Sequence, residues 1–282
     1  MTFSQPPPTP TPRLARIQIH PIKSLDPVEV PAATIGPAGS LQFDRAWALY
    51  SLDGRLISFS RNPALHRIRA TYSTGFSSVT LAAPSDPRNL APGTFSFPAD
   101  TQSAAAWFSA YLDQPVMVRH DPAGIPDDLI ANGPTIISTA SLETVCDWFP
   151  GITVAEARLR FRTTLEIDGV PPFWEDQLFG PELRSVVRFH IGEVALEGSY
   201  PCIRCPIPAR DPRTGEDTIG FQKRFVQLRR AQLPPWSHAE RFEHFYCLAT
   251  NTRIASTQAG KRLALGDSLR LADVPALLTP HH

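Results

Sequence analysis

The segment Pro201-Cys202-Ile203-Arg204-Cys205-Pro206, running on into Arg210-Asp211-Pro212-Arg213-Thr214-Gly215-Glu216, carries the most chemistry per residue in this chain. A C-x-x-C pair serves as a dithiol redox switch, as half of a zinc site, or as a thiolate presented to a soft metal. A redox dithiol works best with its first cysteine at a helix N-terminus, where the dipole lowers the thiol pKa. Pro206 and Pro208 argue against a helix there, and no βαβ pattern surrounds the pair. A structural zinc site needs a second ligand pair, which His244-x-x-Cys247 could supply, although His244 to Ala249 reads as an aromatic, strand-like run in which Cys247 is an ordinary buried thiol. A thiolate on a metal inside a bulky anionic cofactor needs cationic side chains and backbone donors around it. The residue types alone leave all three uses open.

Three segments could supply such cations. Pro21-Ile22-Lys23-Ser24 ends a strand pattern with an ammonium and a hydroxyl, both phosphate partners; the plain alternative is a solvated lysine in a turn. Asp44-Arg45-Ala46-Trp47 sets a charged pair before an apolar strand, either orienting Arg45 toward a ligand or forming a structural ion pair. Arg160-Phe161-Arg162 alternates two arginines around an apolar residue as a strand is expected to begin, directing both to one face or to a solvated edge.

The elements that must position these residues are mostly strands. Residues 1–12 form a Pro-rich tail with nothing apolar to bury and are expected to be disordered. From Arg13 to about Ala99, short alternating runs such as Ile17 and Ile19 against Gln18 and His20, broken by Gly-Pro and Asp-Gly turns, predict a small β-barrel or sandwich. Helical spacing appears over Ser103 to Leu112, with Trp107, Phe108, Tyr111 and Leu112 on one face. A second helix begins near Ser141, its expected cap, with Leu142, Val145, Cys146 and Phe149 inward and Pro150-Gly151 as its stop. Strands return at Leu165 to Ile167, Val186 to Ile191, Val194 to Leu196 and Leu263 to Leu271, the last divided by Gly266-Asp267 as a hairpin turn. The expected fold class is therefore mostly β with some α: a β-barrel-like unit over 13–120, then a second β-barrel with a few flanking helices over 121–275.

Lysine plus arginine balances aspartate plus glutamate at 27 each, so no long-range field favours nucleic acid or an acidic membrane, and any anion site must be local. Four cysteines at 146, 202, 205 and 247 do not make a secreted disulfide framework. The start MTFSQPPPTPTPR lacks the apolar run of a signal peptide, and no stretch approaches the roughly 20 apolar residues of a membrane span. A cytoplasmic protein is expected.

Taken in order, Pro-Ile-Lys-Ser, Asp-Arg-x-Trp, Ser138-Thr139-Ala140-Ser141-Leu142, Arg-Phe-Arg, Trp174-Glu175-Asp176 and Cys-x-Arg-Cys with Asp-Pro-x-Thr-Gly resemble the MOSC proteins with an N-terminal MOSC β-barrel. That group contains the mitochondrial amidoxime-reducing component and its bacterial relatives, and the resemblance runs from about Arg13 to Leu271. It implies a molybdenum cofactor (Mo-molybdopterin) held by Cys205 as metal ligand, with Cys202 nearby. By the same resemblance Lys23, Ser24, Arg45 and Arg162 contact the pterin and its phosphate, and Ser141 or Thr139 adds a hydroxyl; from their closeness to Cys205 in the sequence, Arg204 and Asp211 are expected to position substrate or shuttle protons. Arg162-Thr163-Thr164 departs from the family's Arg-Pro-Asn and puts cofactor contact at Thr164 in doubt. Pro206-Ile207-Pro208-Ala209-Arg210 gives a stiffer, more basic rim than the Thr-rich loop of the animal reductases.

The implied activity is reduction of a small N-oxygenated (N-hydroxylated) substrate. The chain has no C-x4-C-x2-C run of a fused iron–sulfur module, so electrons are expected from a separate flavin, haem or iron–sulfur protein. No nucleic acid or membrane partner is expected. The alternatives are a non-catalytic molybdenum-cofactor or sulfur carrier, as in the C-terminal part of the cofactor sulfurase but with no PLP domain in this chain, and a structural zinc-binding β protein.

Overall fold

The computed structural model describes residues 11–84, 88–121 and 131–272 and the backbone of 276–277. The Pro-rich tail expected over 1–12 lies, up to residue 10, outside the described residues, as does the stretch 122–130 beside the expected domain boundary. The N-terminal elements are β1 (Arg13–Ile19), β2 (Val28–Glu29), β3 (Ala32–Thr34), β4 (Trp47–Tyr50), β5 (Leu56–Ile57), β6 (Arg69–Tyr72), β7 (Ser78–Ala82), β8 (Gly93–Ser96), α1 (Thr101–Leu112) and β9 (Met117–His120). After them come β10 (Ile136–Ser138), α2 (Thr139–Trp148), α3 (Val154–Phe161), β11 (Leu165–Asp168), β12 (Ser185–Ile191), β13 (Val194–Ile203), α4 (Phe221–Ala231), β14 (Cys247–Arg253), β15 (Arg262–Ala264), β16 (Leu269–Leu271) and β17 (Ala276–Leu277).

One long sheet runs β16-β12-β13-β14-β10-β11-β1-β2, with β17 paired to β12; β10 and β11 are parallel and the other named pairs antiparallel. Two three-stranded sheets, β5-β4-β9 and β6-β7-β8, pack with α1 around a core of Leu49, Leu65, Val79, Leu81 and Phe108. The mostly-β class holds, but the sheets are open and do not close into the expected barrels. β1 leaves the N-terminal half to pair with β11, and its end is covered on both faces, so Gln18 and His20 are buried beside Ile17 and Ile19. Alternation therefore marked the strand without marking an exposed face.

Three local expectations are corrected. Gly266-Asp267 forms a turn, with the Asp267 N–H donating to the Ala264 carbonyl at 3.1 Å, but the flanking strands separate: β15 pairs β3 and β16 pairs β12. The second helix starts at Thr139 with Ser138 as cap, its hydroxyl accepting the Ser141 N–H at 3.0 Å. Arg160-Phe161-Arg162 ends α3 instead of opening a strand. Thr153 caps that helix, Glu156 pairs with Arg160 one turn on at 2.7 Å, and Arg162 closes it in the left-handed region at φ 52°.

Gly198 in β13 tests how tightly the long sheet is covered. A Cβ there would run into the Leu178 carbonyl. Gly198→Ala is expected to destabilise the protein by about 1–3 kcal/mol, read from urea unfolding, because backbone and not a flexible side chain must give way. An unchanged unfolding midpoint would mean that the 174–178 turn is not rigidly seated.

Candidate functional site

A cavity of about 340 Å³ opens where the two halves of the chain meet. It is lined by Lys23 and Ser24 from the end of the first strand's loop, Arg45, the Ser58-Phe59-Ser60 loop, Gly133 and Thr135, Arg160 to Arg162, Cys202 to Cys205, Ile207 and Asn251. Five cations line it and, among the described residues, no carboxylate does. Two of the five are balanced from outside the lining: Asp44 pairs with Arg45 at 2.5 Å and Glu156 with Arg160. Arg162 and Arg204 have no carboxylate within ion-pair distance among the described residues, and theirs is the charge an anionic ligand would neutralise.

Backbone strain aims three of these side chains. Ser24 at φ 65°, Arg45 at φ 52° and Arg162 at φ 52° all sit in the left-handed region, which costs a non-glycine residue about 1–2 kcal/mol. Each is tied down. The Ser24 hydroxyl accepts the Phe59 N–H at 3.2 Å, and the Arg45 N–H donates to the His20 carbonyl at 2.8 Å. Arg162 donates from Nη2 to the Leu25 carbonyl at 2.8 Å and lies over the Phe59 ring at 4.9 Å. Burial and then the neighbouring Arg45 draw the Arg162 guanidinium down to about 9. Burial alone would raise Asp44, but Arg45 and His20 bring it down to about 2, which keeps the Asp44–Arg45 pair ionised. Behind them burial, then Arg162, pushes the His20 imidazole well below its usual value and holds it neutral.

The cysteines occupy different places. Cys202 is half-buried on β13 and accepts a hydrogen bond from Arg204 Nη1 at 2.9 Å, while Cys205 is exposed just past the strand end. Arg204 also donates to the Phe161 carbonyl, and its Nε is buried with no partner among the described residues. Pro206 to Ala209 turn sharply, and Ile207 plugs into the N-terminal core. The loop then docks on the facing segment: Arg210 donates to the Phe59 carbonyl at 2.8 Å and Arg67 to the Thr214 carbonyl at 3.2 Å. From below, Arg160 donates to the carbonyls of Pro208 and Arg210 and to the Thr218 hydroxyl at 2.7–3.2 Å.

Of the residues singled out from sequence, Lys23, Ser24, Arg45, Arg162, Cys202, Arg204 and Cys205 line one cavity. Thr139, Ser141, Thr164 and Asp211 do not. Thr139 donates to Glu166 at 2.9 Å, Ser141 is fully buried against Glu175 at 3.0 Å, and Thr164 is 1% exposed with its hydroxyl unpartnered. Asp211 accepts the Arg213 and Thr214 N–H groups, each at 2.8 Å, and so shapes its own turn. Ser58, Phe59, Ser60, Thr135 and Asn251 join the lining without having been foreseen. For the zinc alternative, no group of three or more His, Cys, Asp or Glu side chains converges among the described residues. Burial, then Cys202, pushes the Cys247 thiol up to about 12, a thiol and not a ready thiolate ligand.

Glu175, from the Trp174-Glu175-Asp176 motif, is buried below this site. Its Oε2 accepts from the Ser138 N–H and the Ser141 hydroxyl, and burial, then Asp176, pushes its carboxyl up to about 7. Below pH 4.5 the group is protonated in the folded and unfolded chain alike, and its charge state contributes nothing. As pH rises from there to about 7, the unfolded chain releases the proton first, so stability falls, with a full penalty of roughly 3 kcal/mol above the folded value. Glu175→Gln is expected to flatten that slope, matching wild type near pH 4 and exceeding it at pH 8 in urea unfolding. Parallel pH profiles for the two proteins would show that Glu175 does not hold its proton.

The open, mostly-β scaffold thus brings an exposed thiol to a cation-lined cavity. Residues 11–115 match the family described as the MOSC N-terminal beta barrel domain, a match consistent with a MOSC-domain protein. MOSC domains are linked in general to molybdenum-cofactor binding. The matched region includes Lys23, Ser24, Arg45 and the 58–60 loop and ends before Arg162 and the cysteines. No curated protein matches the chain. Among the described residues, no helix is long and apolar enough to cross a membrane.

Proposed function

We propose that the chain binds a molybdenum cofactor in this cavity and reduces N-hydroxylated compounds with electrons from a separate donor protein. The observation that carries the reading is the cavity itself: five cations without a carboxylate among the described lining residues, an exposed Cys205 at its mouth, and the buried Arg204 Nε without a partner. These residues fit the group. Lys23, Ser24, Arg45 and Arg162 would hold its phosphate and pterin, and Cys205 would supply the soft thiolate its metal requires. When bound, the cofactor would supply a two-electron couple at molybdenum.

The chain's own part is to bind, orient and exclude. Asp44 fixes the Arg45 fork, and the Phe59 ring carries the Arg162 guanidinium. The Arg160 and Arg210 contacts hold the cysteine loop against the 58–67 segment. In the overall reaction the N-hydroxy compound takes up two electrons and two protons and leaves as the amine or amidine plus water. Arg204, the cation nearest Cys205 in the chain, would orient such a substrate.

The test is elemental and pterin analysis of the protein made in a host competent for cofactor synthesis, followed by turnover of benzamidoxime with a chemical reductant. Molybdenum and pterin in equal amounts together with turnover support the reading. Cofactor without turnover would leave a carrier, and zinc without pterin would overturn cofactor binding altogether.

A further inference from the structure

The net charge of the chain is zero, yet α4 (FQKRFVQLRRA) contains no acidic residue. Its buried face packs Phe221 and Phe225 into the core, and its one ion pair among the described residues is the buried Arg229–Asp176. Lys223, Arg224 and Arg230 are left exposed without carboxylate partners among those residues. Lys223 stands in the first turn, where the helix dipole disfavours a cation, so the fold itself gains nothing from it. Arg224 lies over the Phe149 ring at 5.9 Å and Arg230 over Phe245 at 5.6 Å, so their guanidinium groups are already ordered at the surface. Glu143 and Asp147 are exposed on α2, which packs against α4, and they bound the patch on that side.

This helix is linked to the cysteine site through Tyr246. Ile219, fully exposed, precedes the cap of α4, and Ile203, 51% exposed, adjoins the cavity mouth. Inside, Tyr246 packs edge-on against Phe225 of the helix at 5.3 Å, and its carbonyl accepts the Arg204 N–H at 2.9 Å, one residue from Cys205. Preordered cations around exposed apolar side chains make a surface suited to a transient acidic partner.

We propose that the exposed face of α4 is the docking surface for the electron donor, and that the donor is a protein with an acidic surface. This rests on the reductase reading, since it assigns the partner a redox role. The test titrates the full-length, cofactor-loaded protein with a plant-type [2Fe–2S] ferredoxin as the acidic probe, at low and high salt. It is compared with the variant Lys223→Glu/Arg224→Glu/Arg230→Gln. A glutamate at position 223 suits the first turn of a helix, so the variant is expected to fold, checked by its melting temperature.

The expected result is salt-sensitive binding to wild type and at least tenfold weaker binding to the variant, with molybdenum content and turnover on a chemical reductant unchanged. Equal affinity for both proteins, no binding to wild type, or tighter binding of wild type to phosphatidylserine vesicles or duplex DNA than to the ferredoxin would overturn the proposal. Loss of chemically driven turnover in both proteins, with the difference in ferredoxin binding intact, would count against the reductase reading and in favour of an acidic-protein surface.

Discussion

Replacing Cys205 with alanine is expected to lower molybdenum from about one per chain to background, because a high-valent metal in a cationic cavity has no other accessible thiolate to hold it. Cys202 is no substitute: it is half-buried and its sulfur already takes the Arg204 Nη1–H at 2.9 Å. Cys247 is buried, with its thiol pushed up to about 12. The exposed position of Cys205 after the strand end also means that its loss leaves no core void, so the melting temperature of the cofactor-free chain should not move. Cys202→Ala, run beside it, should keep most of the metal. Elemental analysis decides the matter: full molybdenum in Cys205→Ala would remove the basis for the ligand assignment. Equal loss in both variants would mean that the two sulfurs share the role.

The largest effect on stability is expected at Arg229. This side chain is 1% exposed, pairs with Asp176 at 2.5 Å, and lies over the rings of Phe173 at 4.1 Å and Phe242 at 5.2 Å. Asp176 is itself 2% exposed and, among the described residues, keeps the Ser237 hydroxyl as its side-chain partner once Arg229 is gone. Arg229→Met retains the packing but leaves a buried carboxylate without its counter-charge, at a cost of about 3–5 kcal/mol. The pair also ties α4 to the 174–178 turn, beneath both the cysteine site and the proposed docking face. Adding Asp176→Asn should restore at least half of the loss, since no charge is then stranded. Urea unfolding of the two variants tests this, and a single variant within about 1 kcal/mol of wild type would show that the pair is not stabilising.

The candidate site was legible where residue type and spacing suffice. A lysine with a hydroxyl after a strand, an arginine behind an aspartate, and cysteines before prolines are local patterns, and all reach the cavity. Arg160 and Arg162 reached it by a route the sequence obscured. The alternation that resembles a strand start is a helix end, where a left-handed Arg162 turns its side chain across the chain path. Thr139, Ser141 and Thr164 were hydroxyls in the right neighbourhood, but β10, α2 and β11 pack against one another there, tying Thr139 and Ser141 into internal hydrogen bonds and burying the Thr164 hydroxyl away from the cavity. The Ser58–Ser60 loop, Thr135 and Asn251 come from three places in the chain whose convergence no local pattern encodes.

By itself, the sequence determined the mostly-β class, the helix over α1, the bend after Cys205 and the charge balance that confines any anion site to a local patch. These follow from apolar periodicity, from proline's missing N–H and from simple charge counting. Tertiary structure alone decided that β1 crosses to pair with β11, that the sheets stay open, and that β15 and β16 part after a shared turn. It alone brought five cations to one cavity beside an exposed thiol. Strand pairing and cavity lining depend on contacts between residues far apart in the chain, and local propensity carries no record of them.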